Sequence, residues 1–264
     1  MICRSGSGAA ITVDVVATTN REKPELIADE LRALIVSGKV AEGDSLGREP
    51  DLVERFGVSR PSLREALRIL EAEGLITVVR GVLGGVVVRA PDVSVTARTA
   101  AVLLQSRNVT LGDVHDARSV IEPAAARLVA SGSSSARKAA VADLEQLIEQ
   151  QRLVIDDPEK FGRANAAFHE ELVELAGNQT LAIVAEMLNE VVARAVTAVS
   201  QARGSRDSEA TRRRGIRSQE RLLELIAVGA GIEAEEHWRS HMTAVGTVML
   251  GQRAKSVVDL LDHY

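Results

Sequence analysis

Three arginines stand four residues apart in the stretch GVSRPSLREALRILEAEGLI, residues 57 to 76: Arg60, Arg64 and Arg68. On a helix that spacing forms a row, and Leu63, Ala66, Leu67 and Leu70 form a separate i, i+3, i+4, i+7 stripe beside it. One face packs and another presents cations. A helix has the width of the DNA major groove, and arginines on its N-terminal half reach phosphates or the O6/N7 edge of guanine. The same row also suits a solvated face with Glu65 and Glu71 as ion-pair partners. In the closing run EAEEHWRSHM, His237 and His241 share one helix face at i, i+4, a spacing that can chelate, although His237 beside Glu235 and Glu236 also reads as surface. The densest cationic tract, RGSRDSEATRRRG at 203 to 215, reads as a solvated turn.

These residues sit in two kinds of surroundings. Leu26, Ile27, Leu31, Leu34 and Ile35 predict a first helix ended by Gly38 or Gly43, and EPDLVERFG predicts a short second one. The arginine helix runs from Ser59, a capping residue, to Gly74, with Pro61 in its first turn. ITVVRGVLGGVVVRAP then reads as a β-hairpin closed by Pro91. From Val93 the pattern is helical throughout: 93–106, 111–131, 136–154, 159–176, 179–202, 208–229 and 232–252, with short breaks that make neighbours antiparallel. The expected architecture is mainly α. A disordered arm (1–20) precedes a winged helix-turn-helix domain (21–90), an all-α bundle of six to seven antiparallel helices (93–254) and a tail (255–264).

Composition narrows the function. The chain has 264 residues, 45% of them hydrophobic and 26% charged, as a folded soluble protein does. A single cysteine, Cys3, forms no internal disulfide, and no apolar run reaches the length of a membrane span, so the expectation is a cytoplasmic protein with no membrane partner. The net charge is -5, and residues 21–92 hold 11 Lys and Arg against 13 Asp and Glu. Nucleic-acid binding therefore has to come from placement rather than from bulk charge. No H-E-x-x-H, G-x-S-x-G, P-loop or dinucleotide fingerprint is present, and no enzyme is expected.

The runs LIVSGKVAEGDSL, FGVSRPSLREALRILEAEGLI and VVRGVLGGVVV, within residues 24 to 90, closely resemble the N-terminal domain of the GntR family of bacterial transcription regulators. The resemblance implies that Ser59, Arg60, Ser62 and Arg64 contact double-stranded operator DNA, with Arg80 and Gly81 at the wing tip approaching the minor groove. Arg68 lies off the family's usual contacts. Where the family has an arginine at the start of the second helix this chain has Pro50, with Arg48 two residues earlier as a possible substitute.

TLGDVHDARSVIEPAAARLVA, NAAFHEELVELAGNQTL and EAEEHWRSHM resemble the C-terminal helical, FCD-type domain of the FadR-like branch of that family. The resemblance implies a homodimeric regulator, expected to be a ligand-released repressor of a pseudopalindromic operator, with a pocket for a small organic acid or acyl-CoA-type effector. Family members often hold a divalent metal there through an Asp and three His. The matching positions here are Asn165, His169, Gln219 and His241, so the metal ligands reduce to His169 and His241. Neutral amides bind such metals poorly, and a required cofactor is not expected, only a weakly bound divalent ion. Arg118 occupies the place of a pocket arginine that pairs with a carboxylate, or else pairs with Glu122 one turn on.

Overall fold

The structure is a computed structural model. It describes residues 23–79, 81, 84–200, 209–247 and 257, with backbone only over 194–200. The expected N-terminal arm, Arg80 and all but one residue of the expected tail lie outside the described residues. The chain divides between Val95 and Thr96 into two compact units.

The first unit contains helices α1 (Lys23–Val36), α2 (Glu49–Phe56) and α3 (Arg60–Ala72), with strands β1 (Ser45–Gly47), β2 (Ile76–Val79) and β3 (Gly85–Val88). The strands form an antiparallel sheet in the order β1-β3-β2, with Ile76 opposite Val88 and Val79 opposite Gly85. The hairpin is the one its two valine-rich runs predict. β1 is an addition: three residues, too short to show any alternation, pair with β3 through a register shift. The core gathers Ile27, Leu31, Leu52, Ile76, Val86 and Val88 around the Leu63, Ala66, Leu67 and Leu70 stripe of α3, all buried. Each large aliphatic side chain hidden this way stabilises the unit by about 1.5–3 kcal/mol.

Local chemistry shapes the turn between α2 and α3. Gly57 adopts the left-handed conformation, φ 60°, that ends α2, and its N–H donates to the Glu54 carbonyl at 3.2 Å. Two residues later Ser59 caps α3 by accepting from the Ser62 N–H at 3.3 Å. From the far end of α3, Glu71 accepts the Val78 N–H at 3.1 Å and ties the helix to β2.

The second unit is helical: α4 (Val93–Ser106), whose first turn carries the division, then α5 (Leu111–Ala130), α6 (Ser134–Leu153), α7 (Pro158–Glu174), α8 (Gln179–Ser200), α9 (Glu209–Val228) and α10 (Gly231–Val245). These are the seven segments that hydrophobic periodicity predicts, each starting within two residues of its expected place; the expected ends at 201–202 and 248–252 lie outside the described residues. Caps explain several starts, among them Thr110 with Asp113 in a capping box before α5, Ser133 before α6 and Asp157 before α7. Leu144, Ile148, Phe168, Leu172, Leu222, Ile226, Trp238 and Met242 build the main core. Where α10 ends, a Cβ at Gly246 would stand 2.6 Å from the His115 ring, so this glycine lets the chain close on α5. No helix among the described residues is long and apolar enough to cross a membrane.

Candidate functional site

In the first unit the arginine row is exposed. Arg64 keeps 62% of its side chain accessible while its Nε donates to Glu49 Oε1 at 2.8 Å. Arg68 Nη1 donates to Glu65 at 3.2 Å, whereas Glu71, the other acid read as a partner of the row, is committed to the β2 backbone. Exposed pairs of this kind contribute about 1 kcal/mol or less, and so hold no arginine against a phosphate or a base. Ser59 is exposed, but Ser62 is largely buried with its Oγ 2.9 Å from Ser59 Oγ, so it stands behind the exposed row rather than in it. Arg48 is exposed at the start of α2, its own N–H donating to Asp51 at 3.2 Å. Gly81 has φ 117°, a wing conformation that favours glycine.

The second unit encloses a cluster of polar side chains that periodicity alone does not predict. Glu122, on the inward face of α5, is its centre. Its Oε1 accepts from Arg118 Nε at 3.0 Å and Nη2 at 2.8 Å; its Oε2 accepts from His169 Nδ1 at 2.5 Å and Trp238 Nε1 at 3.1 Å. Of the two readings of Arg118, the pair with Glu122 is formed. Burial pushes the Glu122 carboxyl up, but His169, Arg118 and the Trp238 N–H outweigh it and hold the group at about 2. The Trp238 and His241 rings stack with centroids 4.2 Å apart, and His169 lies 5.6 Å from His241.

Beside this hub runs a chain of amides. Gln151 Nε2 donates to Gln219 Oε1 at 2.9 Å, and Gln219 Nε2 donates to Asn165 Oδ1 at 3.0 Å. Next to Gln219, Ser218 meets both histidines of α10: its Oγ lies 3.0 Å from His241 Nδ1, and its carbonyl accepts from His237 Nε2 at 2.7 Å. His237 is thus anchored and only partly exposed. Burial and the neighbouring His169 push the His241 imidazole down to about 3, so this ring is neutral. The structure therefore links Asn165 with Gln219, and brings His169 beside His241, with Arg118 reaching His169 through Glu122.

The donor set does not fit a divalent metal. Among the described residues no group of three or more His, Cys, Asp or Glu side chains is placed to hold one. The nearest carboxylate, Glu122, is saturated by four N–H donors, and the two amides bond each other.

Gln151 and Ser218 escape a reading by motif. The signal for Gln151 is that it follows Ala140, Leu144 and Ile148 on the buried stripe of α6, where an aliphatic residue belongs. His115 is another buried polar group of α5, its Nε2 2.8 Å from the Met242 carbonyl. The cationic tract also corrects its sequence reading in part. Residues 203–208 lie outside the described residues, but Arg212 is buried, its Nε donating to the Ile155 carbonyl at 2.7 Å and its guanidinium 5.8 Å from the Phe161 ring centre.

Comparison with known proteins adds three findings. The family model "Bacterial regulatory proteins, gntR family" matches residues 24–88, and "FCD domain" matches residues 113–244. The HTH-type transcriptional regulator LutR of Bacillus subtilis is 25% identical over 85% of this chain and all of its own length. The HTH-type transcriptional repressor NanR of Klebsiella aerogenes is 26% identical over 63% of this chain and 66% of its own. Among solved structures, Streptococcus agalactiae GntR aligns with a TM-score of 0.64 at 20% identity over 84% of this chain and 98% of its own, a likeness of fold.

Proposed function

The chain belongs to the GntR family of bacterial regulatory proteins and carries an FCD domain, and from that premise we propose how this transcription regulator works. It binds a pseudopalindromic operator as a homodimer, with α3 in the major groove. One observation carries this reading: Arg60 and Arg64 project from the N-terminal half of a capped helix whose opposite face is wholly buried. Arg48, Ser59, Ser62, Arg80 and Gly81 complete the DNA-facing set, Ser62 by bracing Ser59.

The helical unit senses a small organic acid. Arg118 supports this, because its bonds to Glu122 use only Nε and Nη2 and leave further guanidinium N–H groups for a carboxylate. Asn165, His169, Gln219 and His241 form the rest of the pocket. The effector releases a repressor from DNA by binding unequally to two dimer arrangements with different spacing between recognition helices. NanR is named a repressor, and that name supports the same direction here.

A gel-shift with the DNA upstream of its own gene tests the reading. The expected result is a specific, dimer-sized complex that weakens steeply with salt and is lost in Arg60→Ala/Arg64→Ala. Absence of any complex at low salt points instead to a dimeric scaffold that does not bind DNA.

A further inference from the structure

The four positions that correspond to metal ligands in related domains fall into two halves, and the halves differ. The imidazole half has the orientation that metal-binding histidines need. Each ring is held at Nδ1 by an outer partner, His169 by Glu122 at 2.5 Å and His241 by Ser218 Oγ at 3.0 Å. The other nitrogen of His241, Nε2, is buried with no hydrogen-bond partner.

The second half is uncharged. Asn165 Oδ1 and Gln219 Oε1, the oxygens such a metal would need, each accept the N–H of the next amide instead. Gln151 and Gln219 are both fully buried, and although Gln151 Oε1 has no partner, the two bonds form in surroundings where an amide left unpaired costs about 1–3 kcal/mol. The relay crosses three helices, from α6 through α9 to α7.

We propose that the Gln151–Gln219–Asn165 relay takes the mechanical place of a metal in this protein, cross-linking α6, α9 and α7 by hydrogen bonds so that the pocket works without a divalent ion. An ion shared by the four corresponding positions would join α7, α9 and α10; the relay, with Gln219 as its middle member, keeps the α9–α7 link and replaces the third helix with α6. Gln151, from a helix that supplies none of the four corresponding positions, is what makes the exchange possible: it occupies Gln219 Oε1 and turns Gln219 Nε2 towards Asn165. The proposal concerns the helical unit alone and stands independently of operator binding.

The test uses the full-length protein purified from zinc-supplemented growth, with elemental analysis, calorimetric titration with zinc chloride alone, and melting curves with and without EDTA. The wild type is expected to carry far less than one zinc per chain, to give no saturable heat and to melt at the same temperature in EDTA. Asn165→Asp/Gln219→His adds a carboxylate and a third imidazole beside two rings already oriented. It is expected to take up about one zinc per chain, to bind it on the order of 100-fold more tightly than the wild type, and to lose the gained melting temperature in EDTA. Gln151→Leu breaks the relay and lowers the melting temperature with the zinc content unchanged. Saturable zinc binding by the wild type, or an EDTA-sensitive wild-type melt, overturns the proposal. So does a folded double variant that takes up no zinc. If the double variant does not fold, the wild-type titration and the Gln151→Leu melt decide.

Discussion

His169 Nδ1 lies 2.5 Å from Glu122 Oε2, with both side chains buried and Arg118 and Trp238 donating to the same carboxylate. Such a group keeps its charge only because its partners surround it. Glu122→Gln leaves Arg118 facing a neutral amide in the interior, and a loss of about 3–5 kcal/mol in urea unfolding is expected. Asp113→Asn, at the exposed capping box of α5, is the contrasting case and costs about 1 kcal/mol.

The same cluster sets an acid limit on stability. Unfolded His241 takes a proton near 6.5 and folded His241 only near 3, while Glu122 moves from 4.5 unfolded to about 2 folded. Both shifts are downward, so in each case the unfolded chain binds the proton first as pH falls. Stability is complete above pH 6.5, declines towards pH 3 through His241, and declines further between 4.5 and 2 through Glu122. Each group contributes a slope of at most about 1.4 kcal/mol per pH unit. Urea midpoints measured from pH 8 to 4 check this, and His241→Asn should flatten the upper part of the decline.

Glycine to alanine inside a helix ordinarily stabilises by about 1 kcal/mol. Gly246→Ala should do the reverse. Its Cβ would come within 2.6 Å of the His115 ring, which is buried and held by its 2.8 Å bond to the Met242 carbonyl. The expected loss is about 1–3 kcal/mol, read as a lower melting temperature.

On DNA, the three arginines should separate. Arg64→Ala is expected to weaken operator binding by about 1–3 kcal/mol at fixed salt, as loss of a base contact does. Arg68→Ala should leave operator preference unchanged and lower the salt slope by about 1 at most. Equal effects from the two substitutions would show the row acting only as bulk charge.

Within the cationic tract, Arg212→Ala removes the donor from the Ile155 carbonyl and uncovers Phe161, and about 1–3 kcal/mol of stability should go with it. Its neighbour Arg213 makes an exposed pair with Glu209, and Arg213→Ala should change the urea midpoint by less than about 0.5 kcal/mol.

Much of this architecture is readable from residue order because helices repeat. The α3 stripe of Leu63, Ala66, Leu67 and Leu70 is buried as its spacing predicts, and the glycine and serine breaks locate the helices of the second unit. β1 escapes because three residues carry no period. Arg212 reads as solvated because its partners, Ile155 and Phe161, lie far away in the chain. The site is harder to read for the same reason. Arg118 and Glu122 are one helical turn apart and pair as local spacing allows, but nothing near Glu122 announces His169 or Trp238, which are 47 and 116 residues distant.

The amide relay joins residues 68 and 54 positions apart on three helices. No fragment containing only one or two of those helices can form it, so it needs all three packed together. Interactions made after the rate-limiting step slow unfolding without hastening folding. Closed after that step, the relay acts as a latch on the native state of the helical unit, lengthening its lifetime while leaving its rate of assembly to the aliphatic core.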